Sequence, residues 1–571
     1  MRALLYWLKV VAPLSRYVIF LSILLAYTWL MRKQGGLPPL SPAWRLEIPL
    51  LLCAYFCLNL ITRESRLQPL IAALPIFLVY MGFDVYFMQL GRLPRIAEVT
   101  ELPELFRVLS TGNQILAGAV VALPLLAILS FLHLRRAKAF ALASLPLVAL
   151  VAAVEFFPDA FMQAFHATQN GIVAFSDMYS AGNNGRISMM LYNEARRVSC
   201  REKTASYRGA SAYLDAFTTT ANTLHGERNK KNIHMVVLES FLDPSLLRGA
   251  RYSQKPVHPS FEKLFAGKEG FTVSPVFGGG TAQAEFEILC GVPAMRELSG
   301  VEFDVFTGAR TLCLPNLLSQ GGYQTIATNS FVPDFFNSTN AYAGLGFEKT
   351  YYPREYAQGR ETYLSTGDTT DEEFMFDGAL LSQNLEFVAQ RMKEAPDTPI
   401  FNYVISMYGH STHAMNQDKR PKVIEMFGDY KDEQLERAVN QYYYRTEAIA
   451  DFVTELQRID PESLIILVSD HLPGLSNGQE TYKRLEYLAG DEEAIHMNRI
   501  FFIENGRPVK YSAIHHYDLP KIVLNSVTRG KYCRTHACNF AVNSTPIDNE
   551  GYRNEYMTIM AQAMDQKPAE P

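Results

Sequence analysis

Hydrophobic and polar residues are distributed in two different ways along the chain. Up to about residue 160, apolar residues form long blocks at 17–31, 46–62, 67–90, 113–134 and 138–157, with arginines and lysines at the block ends. About 20 apolar residues cross a bilayer, so these blocks predict a bundle of five transmembrane helices within residues 1–160. The basic clusters Arg2/Lys9/Arg16, Arg63/Arg66 and Arg135/Arg136/Lys138 fall on one side of that bundle and outnumber the basic residues opposite. This bias sets the N-terminus inside the cell and everything beyond the fifth helix outside. Residues 161–231 follow as a connector of mixed apolar, Gly and Asn content, read either as a helix at the membrane surface or as a plain linker helix.

From residue 232 short apolar runs alternate with longer segments of helical spacing. The runs 233–238, 323–328, 400–406, 464–469 and 499–503 read as strands apolar on both faces, as central parallel strands are. Segments such as "DGALLSQNLEFVAQRMKEA" carry apolar residues three and four apart. The alternation predicts an α/β domain over 232–564, with helices on both faces of the sheet, and a polar tail at 565–571.

Composition narrows the function classes. At 571 residues the chain exceeds one compact domain, and a formal net charge of −5 argues against a nucleic-acid partner held by bulk charge. The first apolar block lacks a small-residue cleavage pattern and is followed by further blocks, so it is not a removable leader. Cys53 and Cys57 fall in an expected span. Cys533 and Cys538 lie five apart beside a turn, and Cys290 with Cys313 makes a second candidate pair, as an oxidising compartment allows. Cys200 is left over.

In an open parallel sheet, ligands bind beyond the carboxyl ends of the strands. Glu239 follows "HMVVL", Asp470 and His471 follow "SLIILVS", and His410 comes soon after "FNYVIS". The stretch "FGGGTAQAEFEILCGVP" places Thr281 at a helix start directly after three glycines. Two carboxylates, imidazoles and a hydroxyl at one sheet edge suit a divalent cation such as Mn²⁺, Mg²⁺ or Zn²⁺. A metal would lower the pKa of the threonine hydroxyl and make it a nucleophile. The helix N-terminus and glycine amides would face a phosphoryl group under attack.

These motifs together resemble the alkaline-phosphatase superfamily, and within it the membrane-anchored lipoteichoic acid synthase and phosphoglycerol transferase family. The matching stretches are "VVLESF", "GGGTAQAEFEILCGVP", "SMYGH" and "LVSDH". The resemblance implies a sulfatase-like α/β/α sandwich behind the five-helix bundle. It implies Glu239, Thr281, Asp470 and His471 as ligands of one divalent metal, Mn²⁺ before Mg²⁺ or Zn²⁺, with Thr281 also the nucleophile. His410 would contact the substrate phosphate or help proton transfer, ahead of His413. In "HHYDLPKIVLNSV" Asp518 reads as a helix N-cap.

Sulfatases carry a C/S-x-P-x-R motif; the nearest stretch, "CLPNL" at Cys313, lacks the arginine. Where the family shows a histidine and then a Trp-Asn-Arg run, this chain has Asn329, then Phe336, Asn337 and Ser338. Asn329 and Asn337 are accordingly the substrate-binding candidates there, and a bidentate phosphate donor is missing. The resemblance implies a transferase that moves glycerol phosphate from phosphatidylglycerol to an envelope glycan or polymer. It implies a multi-pass protein of the bacterial inner membrane with its enzyme domain on the periplasmic or extracellular side. Transfer of phosphoethanolamine from phosphatidylethanolamine is the alternative chemistry, and a non-catalytic glycan-binding or regulatory protein the alternative class.

Overall fold

The computed structural model describes residues 2–33, 39–90, 93–101, 111–172, 177–206, 211–298, 300–366, 374–490, 492–536, 538, 540, 542 and 550–565. All of the tail expected at 565–571 except Asp565 falls outside them. The chain forms two compact units, one of residues 1–203 with 297–300 and one of 204–296 with 301–571.

The first unit is helical. Helices stand at each of the five apolar blocks: Arg2–Lys33, Glu47–Ile61, Gln68–Leu90, Thr111–Ser130, and the pair Ala137–Ala143 and Leu145–Phe156. Among the described residues one stretch, Gln68–Met88, is long and apolar enough to cross a membrane by itself. The stretches Leu134–Ala143 and Leu145–Phe156 make a second if taken together across their 53° bend. Inside this unit two buried carboxylates hold the helix Arg186–Ser206. Glu47 accepts from the Ser188 N–H and hydroxyl, both at 2.7 Å, from the Ile187 N–H at 3.1 Å and from the Tyr80 hydroxyl. It thereby caps that helix from another element. Asp84 accepts two bonds from the Arg186 guanidinium, at 2.9 and 2.7 Å. A buried arginine and aspartate are tolerable only because each neutralises the other.

The second unit is built on one twisted sheet. Its strands, in chain order, are β1 (Ile233–Leu238), β2 (Arg251–Tyr252), β3 (Gly270–Val273), β4 (Gln324–Asn329), β5 (Lys349–Tyr351), β6 (Ile400–Ile405), β7 (Met426–Phe427), β8 (Leu464–Ser469), β9 (Met497–Glu504), β10 (Arg507–Val509) and β11 (Ile514–His515). The spatial order is β11-β3-β9-β8-β1-β6-β4-β5, with β10 beside β9; β2 and β7 form a separate ribbon. The stretch from β8 to β5 is parallel, while β9 runs antiparallel to both β8 and β3.

Every residue of β1, β6 and β8 is buried, which is why these strands read as mostly apolar runs, with one polar residue each at His234, Asn402 and Ser469. Val236, Leu238, Val404, Ile465 and Leu467 pack on one face against the helices Pro259–Phe265, Asp377–Glu394 and Glu433–Ile459. The Tyr403 ring reaches Phe347 and Tyr342 at 5.5 and 6.2 Å, and its hydroxyl binds the helix Thr281–Cys290. Helices thus cover both faces, and the domain is an α/β/α sandwich as expected.

Both candidate cysteine pairs are disulfides, Cys290–Cys313 and Cys533–Cys538. Asp518 takes the N-cap position of the helix Leu519–Val527, as expected, but not through a side-chain bond. Its carboxylate makes no cap to the helix Leu519–Val527; it turns back to the His515 N–H at 2.9 Å and closes a short 3₁₀ turn instead.

Candidate active site

The parallel register brings the chemistry together. Leu238 of β1 pairs with Ser469 of β8, so the next residues, Glu239 and Asp470, leave the sheet side by side. The Ser240 N–H donates to Asp470 Oδ1 at 2.8 Å, and the Ser240 hydroxyl donates to Glu239 Oε1 at 2.8 Å. His471 follows on the same loop, its Nδ1 3.0 Å from the Leu472 carbonyl. With Nδ1–H donating there, Nε2 carries its lone pair toward the carboxylates, 3.3 Å from Asp470 Oδ2 and 3.7 Å from Glu239 Oε1.

Thr281 enters from a different element. Its helix starts at Thr281, with Gly280 as N-cap. Gly278, Gly279 and Gly280 have φ of 71°, 150° and 96°. The glycine run is therefore demanded by left-handed backbone that other residues rarely adopt. The Gly278 N–H donates to the Leu472 carbonyl at 2.9 Å, which ties this loop to the Asp470–His471 segment. The Thr281 hydroxyl caps nothing. It donates to Glu239 Oε2 at 2.9 Å and lies 3.4 Å from His471 Nε2.

The electrostatics of the cluster are compatible with a bound cation. Burial disfavours charge on Glu239, yet the His471 and His410 imidazoles and the adjoining Asp470 and Ser240 groups outweigh it and hold the carboxyl at about 2. Asp470 is pushed far above its usual range by burial and by the neighbouring Glu239 charge. Burial keeps His471 neutral, as a metal ligand must be. Asp470 Oδ2 is buried without a hydrogen-bond partner, a costly state unless something else meets it. Ligand atoms of Glu239, Asp470 and His471 all lie within 4.8 Å of one another. Two carboxylates, a neutral imidazole and an orphaned carboxylate oxygen fit one divalent ion.

The other candidates surround this centre unequally. His410 is half-buried, its Nδ1 2.9 Å from the Ser411 carbonyl and its ring 5.1 Å from Phe374; it lies near enough to Glu239 and His471 to interact with both electrostatically. Asn329 ends β4, where Asn329 pairs with Ile405 of β6. Asn337 is not brought into the cluster. Its Nδ2 donates to the Phe303 and Phe306 carbonyls at 2.7 and 2.9 Å, and its Oδ1 accepts from Asn340. Ser338, where the family has arginine, is buried and donates to the Pro333 carbonyl at 2.7 Å. His413 packs inward, its Nδ1 3.3 Å from Gln441 Oε1.

Residues without a recognisable motif complete the site. The Ser406 hydroxyl accepts from the Glu239 N–H at 3.3 Å and lies 3.5 Å from Arg445 Nη2; Arg445 in turn pairs with Asp377 at 2.7 Å. Gly409 threads between these groups: a Cβ there would run into the Glu239 carbonyl oxygen and the Arg445 guanidinium. Gly409→Ala is therefore expected to cost about 1–3 kcal/mol by overpacking and to displace Glu239. A melting curve and a divalent-metal titration on the variant check both.

Two buried imidazoles predict acid lability. Burial drives His413 down to about 4 and His516 to about 3 from the usual 6.5. The unfolded chain takes up these protons near pH 6.5 and the folded chain refuses them, so stability is complete above that pH and falls as pH drops toward 4. His413 alone contributes a loss of about 3 kcal/mol. Melting at pH 7 and pH 4.5 should show the drop, and His413→Gln should lessen it.

The pattern that defines the sulfatase family matches residues 231–525, more than half of the chain. Over 278 residues the chain is 26% identical to a Rhizobium meliloti protein named for cyclic β-1,2-glucan modification. Over 279 residues it is 25% identical to the lipoteichoic acid synthase of Staphylococcus aureus. Each match covers 47% of this chain and 39% of the relative, so the chain spans about two fifths of these relatives' length. Among solved structures, Streptococcus pyogenes phosphoglycerol transferase GacH, determined with sn-glycerol-1-phosphate, aligns at 18% identity and a TM-score of 0.46. That alignment covers 63% of this chain and 92% of GacH.

Proposed function

Since the chain belongs to the sulfatase family, an enzyme family, we propose that it is a metal-dependent transferase that moves a phospho-headgroup from a phospholipid to an envelope glycan or polymer through a phosphothreonine at position 281. The donor is phosphatidylglycerol and the group moved is glycerol phosphate. One observation carries the reading: a threonine hydroxyl at a helix N-terminus donates to Glu239 Oε2 inside the Glu239–Asp470–His471 cluster. Sulfate-ester hydrolysis does not fit, because Cys313, in the stretch nearest a sulfatase nucleophile motif, is tied up in the Cys290–Cys313 disulfide. The names of the glucan-modifying and lipoteichoic acid relatives support a glycan or polymer acceptor.

Glu239, Asp470, His471 and the Thr281 hydroxyl would hold one divalent ion, Mn²⁺ before Mg²⁺ or Zn²⁺ given the oxygen-rich donor set. When bound, that ion lowers the hydroxyl pKa and offsets the carboxylate charge. Thr281 Oγ1 attacks phosphorus, its proton leaving to solvent. The phosphorus–oxygen bond to diacylglycerol breaks, and His410 supplies a proton to the departing oxygen. The first amides of the Thr281–Cys290 helix face the phosphoryl oxygens. An acceptor hydroxyl then attacks the phosphothreonine, gives up its proton and restores Thr281.

The five apolar helices cross the bacterial inner membrane and leave the enzyme domain outside, near its lipid donor. Two disulfides in that domain support an oxidising compartment. The reading is tested with the full chain in detergent and Mn²⁺, offered phosphatidylglycerol and phosphatidylethanolamine separately, while diacylglycerol is measured. Release from phosphatidylglycerol is expected. Release from phosphatidylethanolamine alone would transfer the reading to phosphoethanolamine, and release from neither contradicts it.

A further inference from the structure

Glu285 is fully used inside the fold yet has no part in the chemistry so far. It stands one helical turn after Thr281, on the same face of the same helix. Its Oε2 accepts the Tyr342 hydroxyl and the Tyr403 hydroxyl, both at 2.7 Å. Each phenol has one hydrogen to give, and both are given to this carboxylate. The Tyr342 oxygen can then only accept from its other neighbour, Asn329 Nδ2, at 3.3 Å. That requirement fixes which way the Asn329 amide turns: nitrogen toward Tyr342, oxygen toward the Phe331 N–H at 2.9 Å. An amide nitrogen carries two hydrogens, so one remains beyond the Tyr342 bond, at the carboxyl end of β4.

We infer that Glu285 is a positioning residue for the phospho-headgroup, acting through Tyr342 to set the Asn329 amide as a donor to it. This rests on the reading that Thr281 receives such a group. The network links the nucleophile's own helix to the end of β4, where Asn329 stands in place of the family's histidine. A buried carboxylate held by two phenols also joins two elements of the fold, so the test must separate orientation from bracing. Tyr403 provides the control, because it makes an equal bond to the same oxygen with no step onward to Asn329.

The experiment is equilibrium titration of the full chain, with Mn²⁺, by glycerol phosphate as the probe, so that no turnover is needed. Tyr342→Phe and Asn329→Ala should each weaken binding about fivefold to tenfold, the loss of one neutral hydrogen bond. The double variant should be no weaker than the weaker single, since both break one chain of contacts. Tyr403→Phe should stay within about twofold of the wild type. Glu285→Gln, whose carbonyl still accepts both hydroxyls, should retain binding, while Glu285→Leu should behave as Tyr342→Phe. Equal effects of the two tyrosine changes, additive losses in the double variant, or no binding of the probe by the wild type would each overturn the inference. If the probe binds as expected while the wild type releases no diacylglycerol, the transferase reading fails and the positioning role stands.

Discussion

Thr281→Ala is expected to stop diacylglycerol release, by at least about 1,000-fold, because loss of a nucleophile leaves only the binding contribution to rate. The fold should not suffer. Thr281 opens its helix without capping it, its hydroxyl serves only the cluster, and alanine is a good helix former. A melting temperature close to the wild type with activity gone is therefore the expected pair of results. Thr281→Ser, which keeps an attacking hydroxyl, should retain part of the rate. Full activity in Thr281→Ala would remove the threonine from the mechanism.

The second large effect lies at Asp470. Asp470→Asn keeps an oxygen for the Ser240 and His471 N–H groups, which donate to Oδ1 at 2.8 and 2.6 Å. It replaces the orphaned Oδ2 with an amide able to donate to Glu239. The metal-free protein should then gain stability, because an ionisable group buried against the Glu239 charge is replaced by a neutral one. Metal binding should weaken by more than about 100-fold, since even outer partners of a metal site cost 10- to 100-fold. Wild-type protein with Mn²⁺ at about 100 times its dissociation constant should gain about 2.7 kcal/mol. Asp470→Asn should gain almost nothing at the same concentration. Paired melting curves with and without Mn²⁺ read both signs, and an equal Mn²⁺ gain in the two proteins would remove Asp470 from the metal site.

Of the covered strands, β1 and β8 were legible to the residue, and β6 and β4 to within one residue at their ends. β1 and β8 run where their largely apolar runs do, because apolar burial dominates them; the one buried imidazole, His234 of β1, is met by Asp460. β3 and β9 show the limit of that signal. β9 pairs antiparallel to β8, and hydrophobic pattern carries burial but not direction or partner. The short strands β2, β7 and β11 are held by two-residue pairings that leave no periodicity to read.

The site was legible wherever a chemical residue directly follows a strand, as at Glu239, Asp470 and His471. Its supports were not. Ser406, Arg445 and Asp377 meet only through the folded register of three elements, and Gly409 is required by backbone atoms from far along the chain. Asn337 matches the family by position, yet its amide goes to the Phe303 and Phe306 carbonyls, a choice set by the left-handed turn at Phe336 and Asn337. The glycines before Thr281 suggested close approach of a ligand, whereas their positive φ values already account for them.

The most direct test of the central claim is the mass of the peptide that contains Thr281, taken after brief incubation of the full chain with phosphatidylglycerol and Mn²⁺ in the absence of an acceptor. A glycerol-phosphate adduct on Thr281, absent from Thr281→Ala, is the expected result. Diacylglycerol release with Thr281 unmodified at every time point would contradict it.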